Sequence, residues 1–145
     1  MPAKDSHHAI VVQALEKDGW TITDDPLYLD YDSRELFVDL GAERDTIGAQ
    51  KGKTRIAAEI KTLSGYSIVA DTQKALGQYI MYETVLADVD PERVVYLAIP
   101  QNAYEGFFSE RLGQQIIKHR KLRMVVYDQT QAEIVTWINW HPIDK

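Results

Sequence analysis

The sequence predicts an α/β domain built on a central mixed β-sheet flanked by helices. Three features carry that prediction. Residues 6–19 and 68–88 place apolar side chains at helical spacing on either side of a block of short alternating segments. Val94 to Ile99 (VVYLAI) is nearly all apolar, as in a strand covered on both faces. The remainder reads helix, strand, strand, so the order does not alternate regularly and the sheet is mixed rather than all parallel.

A chain of 145 residues supports one core, and 1–145 reads as a single domain without repeat, linker or low-complexity segment. The absence of cysteine excludes disulfides and thiolate metal sites. The opening residues MPAKDSHHAIVVQ hold no long apolar region of the secretory kind, and no apolar run approaches the roughly 18–20 residues of a membrane span. A cytoplasmic location without a membrane partner is therefore expected. The formal charge is −6, from 16 Lys+Arg against 22 Asp+Glu, which argues against a protein that coats nucleic acid indiscriminately. It leaves room for a local basic surface beside an acidic, metal-binding centre.

The first helix is expected over 6–19, with Ser6 as N-cap, Gly19 as stop, and Ala9, Val12 and Leu15 on its apolar face. Glu16 sits at the edge of that face. Trp20 to Thr23 is β-prone, Asp24-Asp25-Pro26 marks a turn, and Leu27 to Tyr31 is a second short strand. The acids at Asp24, Asp25, Asp30 and Asp32 lack the central glycine and final glutamate of a calcium loop, so they read as turn residues. Asp32-Ser33-Arg34 leads into a strand over Leu36–Leu40. Residues 41–53 are polar and Gly-rich and read as a loop. Gly48 and Gly52 do not form a phosphate loop, because no G-K-[ST] follows at the required spacing. A second helix begins near Asp71, with Leu76, Tyr79, Ile80 and Leu86 facing the core and the pair Gln78 and Tyr82 off that stripe. A third covers 107–119, with Phe107, Phe108, Leu112, Ile116 and Ile117 inward. Met124–Tyr127 and Glu133–Trp137 are the last two strands, and Trp137 and Trp140 read as packing residues.

Charges stand out in Leu36 to Lys61 (LFVDLGAERDTIGAQKGKTRIAAEIK). Side chains alternate across a strand, so Ile56, Ala58 and Ile60 share one face while Ala57, Glu59 and Lys61 share the other. On the preceding strand, Leu36, Val38 and Leu40 oppose Phe37 and Asp39. Asp39 joins Glu59 and Lys61 if the strands pair in the right register. Lone charges in half-buried sheet are costly, which makes this trio a candidate site. Two convergent carboxylates suit Mg²⁺ or Mn²⁺, hard ions that prefer oxygen, and the carbonyl of Ile60 offers a third oxygen. A lysine beside such an ion can position a water and stabilise developing charge, which is the equipment for hydrolysing a phosphodiester. The plain alternative is a structural acid–lysine network at a sheet surface.

The ordered pattern Asp39…Glu59-x-Lys61 between two helices resembles the PD-(D/E)xK nuclease superfamily, with Val38 where the motif has proline. Gln78-x-x-x-Tyr82 resembles the Q-x-x-x-Y motif of its RecB-like exonuclease branch. The stretches HHAIVVQALEKDGWTITDDPL, FVDLGAE, IAAEIK and DTQKALGQY, spread over roughly the first two-thirds of the chain, are more closely similar to the XisH family of fdxN-element excision controlling factors of cyanobacteria. This resemblance implies a restriction-endonuclease-like core and a role in programmed DNA rearrangement. It implies that Asp39 and Glu59 hold the metal, that Lys61 is the catalytic lysine, and that Glu16, Gln78 and Tyr82 support the site. Implied partners are DNA, an XisI-like protein, a site-specific recombinase and a second copy of the chain.

Two clusters are candidates for DNA contact: Lys51, Lys53 and Arg55 before the Glu59 strand, and Lys118, Arg120, Lys121 and Arg123 after the third helix. The leading expectation is a Mg²⁺-dependent endonuclease-like protein assisting excision. The alternative is an accessory factor without catalysis that binds DNA or a recombinase together with an XisI-like partner.

Overall fold

The computed structural model describes residues 3–46 and 52–140. Its elements in order are α1 (Ala3–Lys17), β1 (Thr21–Asp24), β2 (Leu27–Tyr31), β3 (Arg34–Val38), β4 (Leu40–Asp45), β5 (Lys53–Ile60), α2 (Ile68–Val89), β6 (Arg93–Pro100), α3 (Gln101–Glu105), a 3₁₀ turn (Phe107–Ser109), α4 (Arg111–Arg120), β7 (Met124–Asp128) and β8 (Glu133–Ile138). Six strands form one sheet in the order β1-β4-β5-β6-β7-β8, and β2 and β3 form a separate hairpin. β5, β6 and β7 run parallel, while β1, β4 and β8 pair antiparallel at the flanks. The expected mixed sheet flanked by helices is the observed architecture.

The three parallel strands are apolar on both faces because both faces are covered. Ala57, Val95, Leu97, Ile99, Met124 and Val126 pack with α2, α4 and the hairpin. Ile56, Ala58, Ile60, Tyr96, Ala98, Val125 and Tyr127 pack with Val11, Ala14 and Leu15 of α1. The alternation expected along the Glu59 strand is therefore present, and it divides the domain into three layers.

Several elements differ from the sequence expectation, each for a physical reason. α1 starts at Ala3, so Ser6 lies within the helix and not at its cap. His7 stands one turn before Val11 on the buried face, and its Nδ1 meets the buried Tyr127 hydroxyl at 2.7 Å, which ties down the early turns. Gly19 ends the segment as expected, at φ +91°, with the Trp20 N–H returning to the Leu15 carbonyl. The expected loop 41–53 is strand as far as Asp45. Gly41 lets the Asp24 and Arg93 side chains close over the strand; a Cβ there would lie 3.0–3.1 Å from their atoms, so these would have to give way. The charged residues that made this stretch look like a loop have partners: Arg44 stacks 4.4 Å over Trp20 and bonds Asp18.

α2 begins at Ile68, capped by Ser67, whose side chain accepts the Ala70 N–H. Its buried stripe is Ala75, Tyr79, Tyr82, Val85 and Leu86, so Tyr82 is in the core and Ile80 is exposed. A tyrosine can occupy that place because its hydroxyl donates to the Phe37 carbonyl at 3.0 Å. The expected helix 107–119 is split. α4 seats its Gly113 face on the Phe107 backbone, where a Cβ would lie 2.3 Å from the carbonyl oxygen, and this turns Leu112 outward.

These positions fix contrasting costs. Leu15 is 0% exposed and Leu112 is 52% exposed. Leu15→Ala should lower unfolding free energy by roughly 2–5 kcal/mol. Leu112→Ala should change it by no more than about 0.5 kcal/mol. Urea denaturation of the two variants measures this, and equal losses would contradict the assignment of the faces.

Candidate functional site

The expected strand Leu36–Leu40 is not one strand. Val38 packs with α2 and Leu40 packs with α1, although residues two apart on a strand share a face. The chain turns over between them, and Asp39 is the residue at the turn, outside both β3 and β4. β4 pairs with β5 as Leu40↔Ala58, so one step further Asp39 stands opposite Glu59.

At this bend the ladder is completed by side chains. Lys61 N–H donates to Ala98 on β6 at 2.9 Å, so by alternation the Ile60 N–H and carbonyl face the β4 side. The strand has bent away there, and the Asp39 carboxylate takes the Ile60 N–H at 2.9 Å. In return the Asp39 N–H donates to Glu59 Oε1 at 3.1 Å. Lys61 Nζ lies 3.5 Å from Glu59 Oε2. Two acids and a lysine are thus brought together at the end of β5, as the sequence pattern requires.

Glu59 is 5% exposed. Burial, then the neighbouring Asp39 charge, push its carboxyl up to about 6, against the opposing pull of Lys61 and the Asp39 N–H. Tyr82 feels the same negative centre: burial, then Glu59, then Asp39 raise its hydroxyl to about 12, so it remains a proton donor at neutral pH. Gln78 lies one turn before Tyr82, and its buried side-chain oxygen has no hydrogen-bond partner among the described residues.

The other predicted site residues lie apart from this cluster. Glu16 is exposed on α1, nine residues beyond His7, and makes no side-chain hydrogen bond or ion pair among the described residues. Lys53 is paired with Asp45 and Glu43. Arg55 grips Asp90 with two bonds of 2.6 and 2.7 Å, and the same Asp90 receives Arg93, so this arginine fastens the end of α2 to the sheet. Arg123 pairs with Glu83. Lys118, Arg120 and Lys121 are exposed at the end of α4. Lys51 lies outside the described residues.

The donor set fits a hard divalent cation in chemistry. Among the described residues the ligands on offer are oxygens, Asp39 stands opposite Glu59 across the strands, and Glu59 is raised by burial and then by the Asp39 charge, both of which a cation would offset. No group of three or more His, Cys, Asp or Glu side chains suited to a metal occurs among the described residues, so an ion here would draw on a backbone carbonyl, water and substrate.

Sequence reasoning missed a cleft of about 340 Å³ next to Lys61, lined by His7, Ile60, the loop 62–65, Asp71 and Lys74. The spacing His7–Val11–Ala14 was the available signal for His7, since it places the imidazole on the buried face of α1.

The Glu59 environment has a pH signature. The folded chain holds this proton more tightly than an unfolded chain, in which the carboxyl titrates near 4.5. The group's contribution to stability is full below about 4.5 and is lost as pH rises through about 6. The shift from 4.5 to about 6 corresponds to roughly 2 kcal/mol. In metal-free protein, the stability of the wild type minus that of Glu59→Gln should fall by about this amount between pH 4.5 and 7.5. Urea titrations at several pH values measure it, and a pH-independent difference would contradict the site electrostatics.

The family model described as XisH protein matches residues 1–135. An XisH family protein from Nostoc punctiforme PCC 73102, known from its crystal structure, is 37% identical; the alignment covers 92% of this chain and 99% of that one, with a TM-score of 0.83. An fdxN element excision controlling factor protein from Anabaena variabilis is 39% identical, over 93% of this chain and 99% of that one, with a TM-score of 0.84. No curated protein matches the chain. Among the described residues, no helix is long and apolar enough to cross a membrane. With the family model spanning nearly the whole chain and two similar structures sharing its fold over nearly their full length, the chain belongs to the XisH family.

Proposed function

We propose that this protein is a Mg²⁺- or Mn²⁺-dependent, endonuclease-like member of the PD-(D/E)xK group that acts on DNA in the controlled excision of a DNA element. The observation that carries the reading is the cross-strand pair Asp39–Glu59 with Lys61 beside it. The ordered acid, acid, lysine pattern supports it, as does the oxygen-only donor set. The link to excision is supported by the Anabaena variabilis relative, itself described as an excision controlling factor.

In this reading Asp39, Glu59 and the Ile60 carbonyl hold the ion. When bound, the ion supplies charge that polarises a phosphoryl oxygen and lowers the pKa of a water. Lys61 is the catalytic lysine, its ammonium kept at the site by Glu59 and placed to stabilise negative charge developing on the phosphate. Tyr82 fixes the bend from below by holding the Phe37 carbonyl two residues before Asp39. Gln78 offers a buried amide to a water or ligand group. Among the described DNA-contact candidates, Lys118, Arg120 and Lys121 are exposed and make no ion pair, so they can meet a DNA backbone. An XisI-like protein, a site-specific recombinase or a second copy of the chain would complete the assembly.

A second reading has its own support. Of the DNA-contact candidates, Lys53, Arg55 and Arg123 are paired with carboxylates, and the whole chain carries −6. Affinity for DNA depends strongly on phosphate neutralisation. An accessory factor that reaches DNA through a partner would be built this way.

Incubation with plasmid and linear DNA in Mg²⁺ or Mn²⁺, with and without the protein partner, separates the two. The nuclease reading expects cleavage that Asp39→Ala and Lys61→Ala each reduce by at least about 100-fold, with Glu16→Ala unaffected. No cleavage in any combination favours the accessory factor. Cleavage that both variants retain would contradict the assigned site.

A further inference from the structure

The cleft beside Lys61 adjoins the acidic pair and shares Ile60 and Lys61 with it. It opens at the carboxyl end of β5, the end at which open α/β sheets receive ligands. Asp39 and Glu59 are not among its lining residues, whereas Lys61 both lines it and touches Glu59. At about 340 Å³ it falls within the range of small-ligand sites, roughly 300–1,000 Å³.

Its lining is rich in hydrogen-bond donors. Lys61 and Lys74 bring ammonium groups. The hydroxyls of Thr62 and Ser64, 2.9 Å apart, share one hydrogen bond and so leave one hydroxyl hydrogen for a ligand. Asp71 is the one acid among the described lining residues, and it already accepts the Gly65 N–H at 2.7 Å.

His7 adds a donor whose tautomer is set by its partner. The buried Tyr127 hydroxyl has His7 Nδ1 as its hydrogen-bond partner, at 2.7 Å. A buried hydroxyl hydrogen needs an acceptor, so Tyr127 donates and Nδ1 accepts. The neutral ring then carries its proton on Nε2, the nitrogen left for a ligand. Burial also holds the His7 pKa below its ordinary value, which keeps the ring in this form at neutral pH.

The loop is shaped rather than slack. Leu63 adopts φ +55°, a left-handed conformation uncommon for a non-glycine residue. The Thr62–Ser64 bond, the Gly65–Asp71 bond and the Ser67 cap hold it against the start of α2. A Cβ on Gly65 would lie 2.7 Å from the Asp71 carboxylate, so a side chain there would push that carboxylate aside.

We propose that this cleft binds a phosphoryl group through His7 Nε2, Lys74, Lys61 and the hydroxyls of Thr62 and Ser64. A tetrahedral anion with several acceptor oxygens is the ligand that uses convergent N–H and O–H donors around one cavity. Two sources share this chemistry: a phosphate of a DNA strand next to the one at the acidic pair, or free phosphate or a nucleotide. The first source rests on the nuclease reading; phosphoryl binding itself does not.

The test uses the full chain without divalent metal, with inorganic phosphate and a short duplex oligonucleotide as probes. Phosphate should shift the amide resonances of Ser64 and Gly65. Lys74→Ala and His7→Ala should each weaken binding of at least one probe roughly tenfold. His7→Gln, which keeps a side-chain N–H donor, should recover most of that loss. Lys74 is exposed, so its variant tests the cleft without disturbing the fold. Weakening of the duplex alone identifies the strand phosphate as the ligand; weakening of inorganic phosphate alone identifies the free anion. If phosphate moves no cleft amide and neither variant weakens either probe, the proposal is wrong. Absent cleavage with Lys74-dependent binding intact would defeat the nuclease reading alone, whereas cleavage with binding unchanged in every variant would defeat the cleft alone.

Discussion

The bend at Asp39 is the constraint on which the site depends. β3 belongs to the hairpin on one face of the sheet and β4 to the sheet itself, so the chain must turn over between Val38 and Leu40. Turning over removes the backbone partner that Ile60 would have had, and an unpaired amide at that depth is costly. Asp39 solves the deficit with its carboxylate, and its own N–H takes Glu59. A structural requirement thereby places two acids face to face at the end of β5. The same requirement explains Tyr82, whose hydroxyl ties the carbonyl of Phe37 and steadies the approach to the bend.

Holding Asp39 against Glu59 has an electrostatic consequence. Burial of Glu59, and then its repulsion with Asp39, raise its carboxyl, and Lys61 offsets only part of this. A protein that needed the pair only for folding could have placed an amide at 59 and kept an acceptor for the Asp39 N–H without the charge. The retained charge, at a strand end beside a donor-lined cleft, supports the proposed cation site.

Much of this was legible in the sequence, and the reasons for the gaps are physical. Alternation along IAAEIK correctly separated Glu59 and Lys61 from Ile56, Ala58 and Ile60, because β5 is a regular strand buried on both faces. The same rule misassigns Leu36, Val38 and Leu40 to one face, because it assumes an unbroken strand and the chain turns over at Asp39. β4 reads as loop in the sequence since its glycine and charges resemble a turn, whereas in the fold the Asp24 and Arg93 side chains close over Gly41 and Arg44 lies over Trp20. The helix pattern around Tyr82 favoured Ile80 for the core, whereas the tyrosine hydroxyl has a partner that only the tertiary fold supplies. Glu16 shows the limit of carrying a motif by order alone: it occupies the expected helix but not the cluster. His7 escapes a reading that takes Ala9, Val12 and Leu15 as the apolar face, because the buried face runs through Val11 and Ala14, the spacing on which His7 falls.

The central claim is that the Asp39–Glu59 pair is a cation site. The most direct measurement is a crystal structure of the protein soaked in Mn²⁺, with the ion located by its anomalous scattering. The account predicts one ion between the two carboxylates, in reach of the Ile60 carbonyl and with Lys61 alongside. Carboxylates still holding only the Asp39 and Ile60 N–H groups, and no anomalous peak between them at millimolar Mn²⁺, would contradict it.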